Sequence, residues 1–355
     1  MNSKDTSNLA TQTAAPLTSE QRTSTSQPYS RAKELLRSLL LRPEIVPLVL
    51  LVLAFIGGSL LSPYFLDLRF LLNNTSTYIE IGIMSLGMVF IIISGGIDLS
   101  VASTLALVAC IAGITYFDLG VPMGITLVLA LILGGLLGYV NGLLVTRLKL
   151  PSLAVTLATL ALYRGLANIL VGDDSRPKLA WSRDIVFPDW FVGVNQITLI
   201  GIPVPLFIFL LLAVLLGLLL HKTVFGRWVY TIGNNKEAAR YSGVPVEWVE
   251  RAIFTLAGFL SGLAGMIMVS RLSVARYDHA RGWELDVITA VVLGGVDIRG
   301  GRGSMLGAVI AFFLIFVLRT GMGVANVKAE SQLFVIGVLL ILSVIVSNVM
   351  NRFRR

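Results

Sequence analysis

Asp98 and Asp297 each follow a pair of glycines inside an apolar stretch, in Gly95-Gly96-Ile97-Asp98-Leu99-Ser100 and Gly294-Gly295-Val296-Asp297-Ile298-Arg299. A carboxylate at a glycine break in such sequence is costly, and is tolerated where it lines a cavity, reaches an aqueous edge or caps a helix. Each acid has two readings, a cap offering oxygen to the free amides of the following helix or a direct contact with a substrate, and the cap is favoured. Further polar groups lie in apolar runs: Ser100, Thr104, Asn141, Thr156, Thr159 and Asp286. Together with the breaks they are the candidate lining of a translocation path, although a Ser or Thr in such a helix commonly bonds its own preceding turn. Arg164 needs a carboxylate or carbonyl partner if buried, with Glu80 one possibility, or it snorkels if its helix ends early.

Bond-breaking chemistry has little to work with. The sequence holds no Gly-Lys pair, hence no phosphate-binding Gly-x-x-x-x-Gly-Lys-Ser/Thr loop, and no nucleophile elbow or paired-His zinc motif. Cys110 sits in an apolar run and reads as packing, while His221 and His279 share no ligand spacing. No catalytic residue, metal site or cofactor is expected on this chain. Energy for any transport must come from a partner or an ion gradient.

The elements that carry these groups are membrane helices. Mean hydropathy is +0.84, and charged residues make up only 14%, against about 25% in soluble chains. Apolar runs near residues 44–63, 77–94, 99–117, 121–145, 152–171, 203–220, 252–271, 284–296, 304–321 and 331–350 read as spans, several reaching the roughly 20 residues that cross hydrocarbon. The fold class expected is therefore all-α and polytopic, with about ten spans (eight to ten), since some breaks can be re-entrant. Small-residue pairs such as Gly134-xxx-Gly138 and Gly258-xxx-Gly262 suit close helix approach. Residues 1–30, rich in Ser, Thr, Gln and Asn, read as a disordered polar tail rather than a leader, and residues 31–355 as one membrane domain.

A net charge of +8 does not point to nucleic acid, because the basic residues are scattered between apolar runs instead of forming a stripe. Topology accounts for them. With both termini cytoplasmic, Arg31, Lys33, Arg37 and Arg42, then Arg147 and Lys149, the loop holding Lys222, Arg227, Lys236, Arg240 and Arg251, the pair Arg299 and Arg302, and Arg352, Arg354 and Arg355 all fall on that side. Arg271, Arg276 and Arg281 fall on the other and argue against it. The external loop of residues 172–202 carries Trp181, Trp190, Asp173, Asp174 and Asp189; its tryptophans read first as interfacial anchors and second as a docking surface.

The loop after the sixth run is the most specific signal. It contains Gly233-Asn234-Asn235-Lys236-Glu237-Ala238-Ala239-Arg240-Tyr241-Ser242-Gly243-Val244-Pro245. Asn235 is placed to cap a short helix over Lys236 to Tyr241, Gly243 to stop it and Pro245 to prevent its continuation. Such a projecting helix is either a knob for a partner or an ordinary solvated loop.

Glu237-Ala238-Ala239, then three residues and Gly243, with Ile253 after nine more residues, resembles the EAA signature of permease subunits of bacterial ATP-driven (ABC) importers. The Leu-Pro that usually closes it is replaced by Thr255-Leu256. Within that superfamily the chain resembles the ribose, xylose, rhamnose and autoinducer-2 branch through several further phrases. These are Gly95 to Val101, Ala158-Thr159-Leu160 before Tyr163-Arg164-Gly165, Gly226-Arg227 before Gly233-Asn234, and Val292-Leu293-Gly294-Gly295 before Gly300-Gly301-Arg302-Gly303-Ser304. The similarity runs from about Leu50 to Asn348 and is specific as a set. It implies a permease of the bacterial inner membrane that pairs with a second copy or paralogue to enclose a path for a small polar substrate. A cytoplasmic ATP-binding subunit, using ATP and Mg, and an extracytoplasmic solute-binding protein would complete the importer. The competing classes are an ion-coupled secondary transporter and a membrane scaffold.

Overall fold

The computed structural model describes residues 44–61, 65–178 and 186–353. The polar tail, Arg31, Lys33, Arg37, Arg42, Trp181, Arg354 and Arg355 lie outside the described residues.

Each of the ten apolar runs is a helix. They are α1 (Ile45–Leu61), α2 (Leu68–Ile93), α3 (Val101–Phe117), α4 (Met123–Arg147), α5 (Ser152–Val171), α7 (Val204–Lys222), α10 (Val246–Leu272), α11 (Trp283–Leu293), α12 (Met305–Val324) and α13 (Ala329–Phe353). Between α5 and α7 lie a single turn, α6 (Asp189–Val192), and a two-stranded antiparallel ribbon of β1 (Thr198–Leu199) and β2 (Ile202–Pro203). Between α7 and α10 come α8 (Val224–Asn234) and α9 (Lys236–Tyr241). Pro122, Pro151, Pro203 and Pro245 immediately precede α4, α5, α7 and α10. Lacking an amide, a proline cannot extend a helix arriving from upstream, so these starts are written locally.

Among the described residues six helices are long and apolar enough to cross a membrane: Leu68–Ile93, Met123–Arg147, Ser152–Val171, Val204–Lys222, Val246–Leu272 and Met305–Val324. α3 and α11 are shorter, about 25 Å and 16 Å at 1.5 Å per residue. Both are nearly enclosed by protein, which is where a short polar-ended helix is tolerated.

α2 and α10 form the buried centre and pack against each other. α4 lies along α10 through glycine. A Cβ on Gly134 or Gly138 would overlap backbone at Gly258, Gly262 or Phe254, and one on Gly258 would overlap Gly138. The two small-residue pairs seen in the sequence are thus partners of one another, and their missing side chains set the approach of these helices.

Successive long helices alternate in direction. At one end, Ile93 at the close of α2 meets the loop after α11, Asn141 near the close of α4 and Ser152 opening α5 meet the 94–100 loop, and Met305 opening α12 meets the end of α7. At the other end, Asp118 after α3 pairs with Arg176, and Phe65 before α2 lies against Gly321 of α12. Tyr116, Phe117, Phe187 and Phe191 form an aromatic cluster at that far end. Cys110 is buried among Leu107, Tyr163 and Ala167, as the packing reading expected.

Candidate functional site

Local chemistry builds α9. Asn235 is extended (φ −162°) and its side-chain oxygen accepts from the Ala238 amide at 2.9 Å. At the other end Gly243 takes φ +81°, its amide donating to Arg240 O and that of Val244 to Ala239 O, both at 3.1 Å. That paired closure is a Schellman motif, and it needs the left-handed residue that glycine supplies without strain. The helix covers the six residues expected from sequence.

Two ion pairs fasten it to the first turns of α10. Lys236 Nζ lies 2.6 Å from Glu250, and Arg240 reaches Glu247 at 2.6 Å and Glu237 at 3.0 Å. Ala239 is fully buried beneath it, whereas Tyr241 is 88% exposed and Glu237 also faces outward. Tyr241, Glu247 and Glu250 were not singled out in the sequence. Exposure and cross-helix pairing are non-local, and only the aromatic type of Tyr241 hinted at a contact residue.

Behind α9 the glycine phrases converge on one junction. α2 ends in a Schellman closure, Gly95 N to Ile92 O and Gly96 N to Ile91 O, both at 2.9 Å, and α11 ends likewise through Gly295 and Val296. The left-handed residue is the first glycine of one phrase, Gly95, and the second of the other, Gly295. The doubled phrase is therefore one residue out of register as geometry. Gly294 instead serves contact, because a Cβ there would overlap Gly307 and Ala308 of α12.

The loop from residues 296 to 304 then reaches across. Gly301 N donates to Ile93 O at 2.7 Å, and Tyr230 Oη donates to Gly303 O at 2.8 Å. A Cβ on Gly233 would overlap Ile93 O, one on Gly300 the backbone of Gly95, and one on Gly301 the side chain of Asn234. Three backbones, ending α2, ending α8 and following α11, touch with no side chains between them. Burial pushes the Tyr230 phenol up to about 12, so it remains a donor. Backbone contacts thus join the end of α8, next to α9 in the chain, to α2, α11 and α12.

The cap reading of the two acids needs correction. Asp297 accepts from Arg299 N at 3.0 Å within its own loop, and α12 is capped by Ser304, which accepts from Gly307 N. The phrase turns back before the helix begins, so its acid is too early to cap. Asp98 likewise does not reach inside α3. It accepts from the amide and hydroxyl of Ser100 at 2.8 and 2.6 Å, holding the residue that precedes the helix.

From Asp98 a buried network continues through three helices. Asn141 Nδ2 donates to Ser100 Oγ at 2.8 Å, and Tyr163 Oη donates to Asn141 Oδ1 at 3.2 Å. Ile97 joins it to α5, its amide donating to Ser152 Oγ and its carbonyl accepting from Thr156 Oγ1. So Asp98, Ser100, Asn141 and Thr156 come together, with Ser152 and Tyr163 as members the sequence reading missed. Thr159 bonds the carbonyl of Thr156 in its own turn, and Thr104 is buried on α3. Asp98→Asn keeps an acceptor for Ser100 and should hold the turn. Asp98→Ala removes both bonds and should cost about 1–3 kcal/mol, read as a lower thermal midpoint of the purified chain. Equal stability of the two variants would refute a structural role.

Arg164 and Asp286 lie elsewhere. Arg164 donates to the carbonyls of Tyr277 and His279 at 2.6 and 2.7 Å and not to Glu80, whose partner is Arg271 at 3.0 Å. Glu80 sits on α2, whose neighbour at that level is the end of α10. Asp286 of α11 pairs with Arg319 of α12 at 2.6 Å, and Arg319 also lies 5.8 Å from the Tyr78 ring. Of the arginines that opposed the orientation, Arg271 is thus paired and Arg276 is paired with Asp278 at 2.9 Å. The Arg276 guanidinium holds the Asp278 carboxyl below the usual range, and burial pushes the His279 imidazole down. These groups line a mouth of about 530 Å³ with Tyr78 and Trp283. Among the described residues no cluster of three or more His, Cys, Asp or Glu side chains is placed to hold a metal ion.

Comparison with known proteins matches residues 70–344 to the family described as branched-chain amino acid transport system / permease component. The autoinducer 2 import system permease protein LsrD of Escherichia coli (strain K12) is 38% identical over 302 residues, covering 85% of this chain and 91% of that protein. The protein of the same name from Shigella flexneri has the same identity and coverage, and that from Escherichia coli O157:H7 is 37% identical. No solved structure matches.

Proposed function

Since this chain belongs to the family of branched-chain amino acid transport system permease components, we propose that it is the membrane-spanning permease subunit of an ATP-driven importer carrying a simple sugar or an autoinducer-2-like polyol. Near full-length similarity to permeases named for autoinducer 2 import carries the proposal, and the fastened, outward-facing helix Lys236–Tyr241 supports the mode of coupling.

In this reading eight to ten of the apolar helices cross the membrane, α11 being too short to do so alone, with α9 and both termini on the cytoplasmic side. A separate ATP-binding subunit, using ATP and Mg, receives α9 in a surface cleft. A second permease, identical or paralogous, completes the path, and a solute-binding protein delivers substrate at the far mouth. Closure of the ATPase pair pushes α9, and the glycine junction passes the movement to α2, α11 and α12. The network of Asp98, Ser100, Asn141, Thr156 and Tyr163 suits a neutral polyol, because it offers hydrogen bonds and one acid already engaged by its neighbour.

Uptake of labelled autoinducer 2, ribose and rhamnose into vesicles holding the reconstituted system tests this. Uptake should require ATP inside and persist when ion gradients are collapsed. Accumulation driven by a proton or sodium gradient without ATP would replace the importer with an ion-coupled transporter.

A further inference from the structure

The α4–α10 contact leaves a groove on its outer side. Gly134, Gly138 and Gly142 draw the helices together, while Leu136, Tyr139, Trp248 and Phe259 stand up on either flank, enclosing about 930 Å³ with an almost wholly apolar lining. Gly135 forms its floor, where an added Cβ would meet only Thr255 Cγ2 at 3.8 Å. From Trp248 to Phe259 the groove runs about 16 Å along α10. That is the depth of one hydrocarbon leaflet, about 15 Å.

Its two ends differ. The end near α9 carries Trp248, 54% exposed, and Arg251. The acids closest in sequence are already taken, Glu247 by Arg240 and Glu250 by Lys236. Arg251 spends only its Nε, on the Glu247 carbonyl at 2.9 Å, and its terminal nitrogens have no hydrogen-bond partner among the described residues. Antiparallel packing, with Gly142 opposite Arg251, sets exposed Arg147 level with the start of α10. A cationic and aromatic end above a leaflet-deep apolar slot is complementary to an anionic headgroup above an acyl chain.

We propose that this groove binds an acyl chain of an anionic phospholipid of the leaflet on the α9 side, with Arg251 and Arg147 holding its phosphate. A protein occupant is disfavoured by the lining. Along the slot the Thr255 hydroxyl is spent on Arg251 O at 2.8 Å, and the Tyr139 hydroxyl is the other that the lining holds, whereas protein interfaces carry about one hydrogen bond per 100–200 Å². The proposal concerns the membrane seat of the chain and stands apart from the transported substrate.

A photoreactive side chain at Ile132, 53% exposed on the groove wall, tests it in membranes of phosphatidylglycerol and phosphatidylcholine. Irradiation should give a phospholipid adduct enriched in phosphatidylglycerol. Arg251→Gln and Arg147→Gln should each reduce the phosphatidylglycerol adduct roughly fivefold and leave the phosphatidylcholine adduct unchanged. Gly135→Leu, which fills the floor without meeting backbone, should abolish both while the protein still elutes as the same single species. An adduct of permease mass, or equal labelling by the two lipids, would overturn the proposal.

Discussion

Deleting Asn235 to Gly243 is expected to leave the chain inserted and folded yet to abolish its association with an ATPase. The helix is closed at both ends by its own residues, Asn235 and Gly243, and only Ala239 is buried beneath it. Its removal therefore costs little apolar burial, of the order of one methyl group or about 1 kcal/mol, together with the Lys236 partner of the buried Glu250. What it takes away is the exposed face with Glu237 and Tyr241. Gly233→Val should separate attachment from transmission. Its side chain would overlap Ile93 O and the donor Gly301 N, so the junction must open, at about 1–3 kcal/mol, while α9 keeps its cap and its ion pairs. Co-purification of the ATPase should survive Gly233→Val and fail in the deletion, with transport lost in both. An ATPase that co-purifies with the deletion variant would sink the coupling assignment.

Asp286→Leu and Arg319→Met are each expected to destabilise the chain by about 3–5 kcal/mol. Asp286 is fully buried and Arg319 nearly so, with two contacts of 2.6 and 2.8 Å between them. Removing one partner leaves the other charge buried without compensation, and the desolvation of that charge accounts for most of the loss. Replacing both, as Asp286→Leu with Arg319→Met, should recover much of the stability, because a buried ion pair is often no better than apolar packing of similar volume. Thermal unfolding of the four proteins in detergent, analysed as a double-mutant cycle, measures this. A double variant as unstable as the sum of the singles would mean that the residues do not act as a pair.

What was legible in the sequence follows from how far each determinant reaches. The bounds of α9 were readable because a cap acts over three residues and a left-handed glycine over two. The apolar runs were readable because length and hydropathy are sums over a segment. The partner of Arg164 was not, since Tyr277 and His279 lie more than a hundred positions away in the chain. Asp98 and Asp297 looked alike in a phrase of six letters, but one holds a residue preceding α3 and the other closes a loop ahead of a helix capped by Ser304.

By itself the sequence determined a helical membrane chain with breaks at its paired glycines, a short capped helix between α7 and α10, and a resemblance that named its family. Tertiary structure alone decided that Gly95, Gly233, Gly300 and Gly301 meet at one junction, that Gly134 and Gly258 are partners, and that Asp98, Asn141 and Tyr163 share one network. The physical reason is the same in each case. A glycine announces that a backbone can come close, but which backbone does so depends on the packing of helices that are distant in the chain, where each contact is set by the register of all the others.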